Sequence, residues 1–257
     1  MTRVSVIGCG NMGGAFIKGL GRTGAYDITA IDPDPAARES VADSASRVTD
    51  DPGAAADTPI VVLAVKPDLV GVVLADLDLT ADQTLVTLAA GVPRSFVIER
   101  TDAAVVRVMP NVAAEFGTMA AAVTTEGLTD EVRSILDAVG EFAEVDESLM
   151  DISTAVNGSG PAFAFYLIDA VKTAGIEGGL TPDQAETLAA QTFRGAAETV
   201  LRDDRSVDDL IDAVCSPNGT TIEGMNVLWD SNADEAVADA VRAAERRSRE
   251  LSEDVAE

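Results

Sequence analysis

Val4-Ser5-Val6-Ile7-Gly8-Cys9-Gly10-Asn11-Met12-Gly13-Gly14-Ala15-Phe16-Ile17-Lys18-Gly19-Leu20 is the stretch from which the rest of the chain is read. Val4 to Ile7 has the β-branched, largely apolar character of a strand buried on both faces, and Met12 to Leu20 has helical spacing. Gly8, Gly10 and Gly13 therefore sit in a strand-to-helix turn. There they permit a tight bend, close approach of backbone N–H groups to a phosphate and close packing of helix on strand. Taken alone, the pattern also fits a glycine-rich turn that binds nothing. Asp32, after the next strand, adds a carboxylate where the ribose hydroxyls of a dinucleotide are usually held. The combination predicts a nicotinamide dinucleotide site with its pyrophosphate over Gly8, Gly10, Asn11, Met12 and Gly13.

Outward from this turn, further apolar runs follow at Ile28 to Ile31, Ile60 to Val65, Leu85 to Leu88 and Val105 to Met109, with later strands expected at Met119 to Thr124 and Phe142 to Val145. Their alternation with amphipathic stretches predicts an α/β fold, an N-terminal Rossmann-type doubly wound sheet over residues 1–150. From Asp151 the β-branched runs stop. Ala-rich segments at helical spacing, Ala162 to Ala174, Pro182 to Leu201 and Ala233 to Leu251, predict an all-helical domain over residues 151–257.

Composition removes whole classes of chemistry. The chain of 257 residues has no histidine, which excludes a Ser-His-Asp triad, a Cys-His dyad, a histidine-ligated zinc and a histidine acid-base dehydrogenase. Cys9 and Cys215 have no metal-ligand spacing, so no metal is expected, and both read as reduced thiols. A net charge of −26, from 44 acidic and 18 basic residues, argues against nucleic acid. Only Lys18, Lys66 and Lys172 are lysine, and the acid is spread through the sequence. That pattern resembles proteins of salt-loving organisms, in which molar salt shortens the Debye length to about 3 Å and screens such a charge. No apolar run has the length of a membrane span and no signal-peptide pattern opens the chain, so a soluble, cytoplasmic protein without a membrane partner is expected.

Four other segments carry candidate roles. Ala64-Val65-Lys66-Pro67 follows the longest apolar run, at the strand edge where open α/β sheets bind ligands. Lys66 suits a cofactor phosphate or ribose, or an anionic substrate, although by itself it reads rather as a surface lysine before a helix that starts at Pro67. Asn111, in Arg107-Val108-Met109-Pro110-Asn111, either orders the nicotinamide pocket or caps the following helix. Asp32 favours NADH over NADPH by repelling a 2′-phosphate, whereas Arg38, six residues on, is placed to reach one; Asp32 before Pro33 also fits a turn initiator. In the helical half, Asn157-Gly158-Ser159-Gly160-Pro161-Ala162-Phe163 and Val214-Cys215-Ser216-Pro217-Asn218-Gly219-Thr220-Thr221-Ile222 each read as a helix N-terminus, whose free N–H groups favour a carboxylate. As alternatives, the first is a helix-packing glycine and the second a cap with a turn.

In this order the segments make the chain resemble pyrroline-5-carboxylate reductases over essentially its whole length, Val4 to about Leu251. The resemblance implies reduction of the cyclic imine 1-pyrroline-5-carboxylate to L-proline by NADH or NADPH. It implies a substrate pocket built from Ser159, Gly160, Ser216, Asn218, Gly219, Thr220 and Thr221, with the second segment on the carboxylate and Thr221, the catalytic candidate, beside the imine nitrogen. The implied cofactor contacts are Gly8, Gly10, Asn11, Met12, Gly13, Asp32, Ala64, Val65, Lys66 and Asn111. It also implies a homodimer through the helical domains, or a ring of five dimers. Two residues depart from the family pattern: Asn157 stands where serine is usual, and Asn218 where glycine is usual. Asparagine tolerates a left-handed backbone, so Asn218 is expected to keep the loop's shape. The competing readings are a β-hydroxyacid dehydrogenase or imine reductase type of enzyme, whose helical-half lysine would have to be Lys172, and a dinucleotide sensor without turnover.

Overall fold

The computed structural model describes residues 1–256, with side chains to residue 253. The chain divides into two compact units, Met1–Ser159 together with the chain from Val241 onward, and Gly160–Ala240. Sequence alone places the change at Asp151. In the structure the short helical stretch up to Ser159 and the end of the last helix belong to the first unit, because both are bonded to it or to each other. Ser248 and Ser252, on that last helix, donate to the Asp151 carboxylate at 2.7 and 3.3 Å.

The first unit contains β1 (Thr2–Ile7), α1 (Asn11–Thr23), β2 (Tyr26–Ile31), α2 (Pro35–Glu39), β3 (Arg47–Thr49), β4 (Ile60–Leu63), α3 (Val70–Ala75), β5 (Thr84–Thr87), α4 (Arg94–Ile98), β6 (Ala104–Met109), β7 (Met119–Thr124), α5 (Asp130–Asp137), β8 (Gly140–Val145) and α6 (Met150–Ser153). Among the described residues eight strands form one sheet in the order β3-β2-β1-β4-β5-β6-β7-β8. Pairing is parallel from β3 to β6, antiparallel between β6 and β7, and parallel again between β7 and β8.

Strand alternation explains why both faces need cover. Val4, Val6, Val62, Val86, Val106 and Val108 lie in one core, against Phe16, Ile17 and Leu20 of α1 and Ile135 and Leu136 of α5. Ile7, Val61, Leu63, Leu85 and Val105 lie in a second core, against Val70, Leu74 and Val97 of the helices on the other face. The sheet is doubly wound. Gln83, buried just ahead of β5, donates to the carbonyls of Ala55 and Thr58 at 3.1 and 2.7 Å and accepts from Thr80 N–H at 2.9 Å.

The second unit holds α7 (Gly160–Glu177), α8 (Pro182–Arg202), α9 (Val207–Val214), α10 (Thr220–Trp229) and the first part of α11 (Ala233–Ala256), whose last part lies in the first unit. Capping boxes start two of these helices, Thr181 with Gln184 for α8 and Ser206 with Asp209 for α9. Interior burial is scant: α7, α9 and α10 have no buried residue, and α8 has Ala185 and Ala189. No helix among the described residues is long and apolar enough to cross a membrane.

The turn after β1 is where backbone packs hardest on backbone. Gly8 has φ +96°, and a Cβ on it would lie 2.5 Å from the Ala64 carbonyl oxygen. A Cβ on Gly13 would lie 1.8 Å from the Gly8 carbonyl oxygen. Gly13→Ala should therefore force α1 away from β1 and destabilise the protein by about 3 kcal/mol, read as a lowered denaturant midpoint; an unchanged midpoint would show that the turn yields.

Candidate functional site

The β1–α1 turn presents an open helix N-terminus. Gly10 is the N-cap of α1 without a side-chain cap, and a Cβ on it would meet nothing within 4 Å. The backbone N–H groups of the first turn are thus left for an external acceptor, with the helix dipole favouring an anion. A pyrophosphate fits such a cradle. Asn11 is exposed and Met12 partly so, whereas Gly8 and Gly13 are buried. The two buried glycines shape the turn from beneath.

Asp32, just past the end of β2, is built into the same turn. Its Oδ2 accepts the Cys9 N–H at 2.7 Å and its Oδ1 accepts the Asp34 N–H at 2.8 Å. Each carboxylate oxygen keeps a second lone pair for a ribose hydroxyl. Arg38 is folded back, donating to the carbonyls of Asp32 and Pro33 at 2.5 and 3.1 Å. Burial, with the Asp32 carboxylate adding to it, pushes the Cys9 thiol up to about 11. Cys9 is therefore a neutral packing residue at ordinary pH, not a nucleophile.

The neighbouring strand ends complete this edge. The Ala64 N–H bonds the Ile7 carbonyl at 2.8 Å, so β4 runs alongside β1 to its end; Val65 is partly buried and Lys66 is exposed. The apolar run expected to reach Val65 stops as a strand at Leu63, and Lys66-Pro67 turns into a short 3-10 segment ahead of α3. Asn111 is buried, and its Oδ1 accepts the N–H groups of Ala113 and Ala120 at 3.2 and 3.3 Å. It caps the next turn, and it also ties that turn to β7.

The two helical-half segments differ from each other. Asn157 to Gly160 is not a free helix N-terminus, because a π-helical turn, Thr154–Gly158, carries the helix on from α6 and the Ser159 N–H already bonds the Thr154 carbonyl at 2.9 Å. That expectation is corrected. Gly160 opens α7, with open space where its Cβ would be. Ser216 to Thr221, by contrast, ends in an open N-terminus: Gly219 is the N-cap of α10, without a side-chain cap. Asn218 has φ 56°, the left-handed conformation, and the Gly219 N–H bonds the Ser216 carbonyl at 3.0 Å. A Cβ on Gly219 would lie 2.4 Å from Ser216 Oγ. Thr221 lies on the first turn of α10 and lines an apolar cleft of about 410 Å³ that also touches Cys215, Met225 and Leu210. Lys172 donates to Glu186 at 2.6 Å, and that carboxylate raises its pKa, so it is held protonated in an ion pair between α7 and α8.

Among known proteins, the pyrroline-5-carboxylate reductase dimerisation family matches residues 147–251, and the family described as NADP oxidoreductase, coenzyme F420-dependent, matches residues 3–91. The pyrroline-5-carboxylate reductase of Methanosarcina acetivorans is 37% identical over 266 residues, which covers 97% of each chain. Among solved structures, a pyrroline-5-carboxylate reductase from Coxiella burnetii aligns with a TM-score of 0.87 at 30% identity, covering 98% of both chains. Plasmodium falciparum pyrroline carboxylate reductase with NADP bound aligns with a TM-score of 0.85 at 25% identity over the same shares. The open turn at Gly10, the open turn at Gly219 and the full-length similarity lead to one assignment: this chain belongs to the pyrroline-5-carboxylate reductase family.

Proposed function

We propose that the chain reduces 1-pyrroline-5-carboxylate to L-proline with NADH or NADPH. The observation that carries this reading is the similarity to named reductases over 97% of the chain, which includes both open helix N-termini. The nicotinamide supplies the hydride. Gly10, Asn11 and Met12 hold the pyrophosphate with backbone N–H groups, Gly8 and Gly13 keep the turn tight, Asp32 takes the adenosine ribose, and Ala64, Val65, Lys66 and Asn111 line the strand edge toward the nicotinamide.

In the second unit, the first N–H groups of α10 bind the substrate carboxylate, in the loop formed by Ser216, Asn218, Gly219, Thr220 and Thr221, with Ser159 and Gly160 as further substrate contacts. Thr221 orients the imine nitrogen with its hydroxyl. Little acid catalysis is needed: a protonated imine that accepts hydride at carbon ends as a neutral amine, so no alkoxide calls for a proton. A chain without histidine suits this chemistry, and orientation with carboxylate-binding donors supplies the rate. The ion pair of Lys172 leaves the β-hydroxyacid dehydrogenase type of mechanism without its lysine. Turnover with 1-pyrroline-5-carboxylate tests the reading, and cofactor binding with no turnover would make the chain a sensor.

We place the enzyme in the cytoplasm as a homodimer, or a ring of five dimers, held by the second unit. What supports this is the apolar surface left uncovered there: Phe165 is 64% exposed, Tyr166 76%, Leu201 72%, Val214 66% and Val227 70%. Outside the polar stripe of Asp169, Lys172, Thr173 and Glu177, α7 is apolar, and so broad an apolar face belongs against a partner. The charge of −26 supports a salt-rich interior of a halophile.

Thr221→Ala should lower turnover by about 10- to 100-fold while cofactor affinity stays within about twofold; unchanged steady-state kinetics would remove Thr221 from the mechanism. NADH is the preferred cofactor because Asp32 repels a 2′-phosphate, and Asp32→Ser should shift kcat/KM toward NADPH by roughly tenfold, about 1.4 kcal/mol. Equal use of both cofactors by the unaltered enzyme would refute that preference. Raising KCl from about 0.1 to 1 M, which shortens the Debye length from about 10 to 3 Å, should raise the melting temperature, as should raising protein concentration. Insensitivity to the first speaks against the salt adaptation, and insensitivity to the second against the dimer.

A further inference from the structure

Asn157, in the π-helical turn before α7, spans two strands of the first unit at the point where their ladder ends. β6 and β7 pair through Val108 with Val123 and Met109 with Ala122. The next residue after β6 is Pro110, which has no N–H to continue the ladder. Asn157 Nδ2 donates instead, to the Met109 carbonyl at 2.7 Å and to the Ala120 carbonyl at 3.0 Å. Both neighbours only accept, so the amide must face them with its NH2 group and turn Oδ1 away. That Oδ1 is buried without a partner. Because Ala120 N–H is held by Asn111, two asparagine side chains replace the ladder beyond Pro110.

The sheet order gives this clamp a place in the reaction. β2 lies on one side of β1, and β4, β5 and β6 lie on the other. A dinucleotide with its pyrophosphate at the β1 turn and its adenosine toward Asp32 extends its nicotinamide toward the carboxyl ends of β4 to β6. We propose that Asn157 is a positioning residue, fixing the Met109-Pro110-Asn111 turn at the nicotinamide end of the cofactor cleft. The inference rests on the cofactor reading above. Serine, with one hydroxyl hydrogen, serves only one of the two carbonyls. Asparagine at this position is thus a two-point clamp, where a single hydroxyl would hold one strand.

The test compares the full-length protein with Asn157→Ser and Asn157→Leu, measuring dissociation constants for NADH and for ADP-ribose, which has the adenosine and pyrophosphate but no nicotinamide. Loss of both donors in N157L should weaken NADH roughly tenfold and loss of one in N157S roughly threefold, with ADP-ribose within about twofold in each. Unchanged NADH affinity in both variants, or an equal loss for both ligands, would overturn the proposal. If N157L does not fold, N157S decides, and a wild-type ratio of the two affinities overturns it. A wild-type protein that binds ADP-ribose and not NADH would instead overturn the cofactor reading, and the proposal with it.

Discussion

At the turn after β1 two main-chain segments approach within van der Waals contact, with no room for a Cβ on either side. Gly8 takes a left-handed backbone against the Ala64 carbonyl, and Gly13 rests on the Gly8 carbonyl. This contact fixes where α1 starts relative to β1 and β4, and so where its unpaired N–H groups lie. Asp32 depends on the same contact, since one of its oxygens bonds the Cys9 N–H between the two first glycines. The open N-terminus of α1 and the Asp32 carboxylate are therefore placed by one piece of packing.

The legible parts of the fold are those in which burial acts on both faces of a segment. Val4 to Ile7, Leu85 to Thr87 and Val105 to Met109 read as strands because every residue in them is buried, on whichever face it lies. β3 gave no such signal. Arg47-Val48-Thr49 is short, lies at the sheet edge, and leaves Val48 40% exposed, so its partners rather than its pattern make it a strand. Gly158-Ser159-Gly160-Pro161 read as a helix start because its residues are helix breakers. The π-helical turn carries the helix through instead, with Pro161 as the second residue of α7. The bonding of Asn157 was invisible for a related reason: its signal is Pro110, 47 positions away in sequence, and only the fold brings the two together. Asn218 was legible, since few residue types accept its backbone conformation and asparagine is one of them.

The site residues follow the same division. Helix N-termini announce themselves through glycine and hydroxyl residues, so Gly10 and Gly219 were found where they stand. Interactions among polar side chains depend on which strands become neighbours, so the double duty of Asn111, capping one turn and holding β7, needed the structure. The bonding of Lys172 to Glu186 across α7 and α8 is of the same kind.

The last helix begins in one unit and ends in the other. In genetic terms the helical unit is an insertion, a cassette of residues 160–240 whose two ends both return to the sheet-bearing unit. Trimming the gene from its 3′ end would first remove the helix that covers Gly91 and bonds Asp151, and so would damage the sheet-bearing unit before it touched the loop from Ser216 to Thr221.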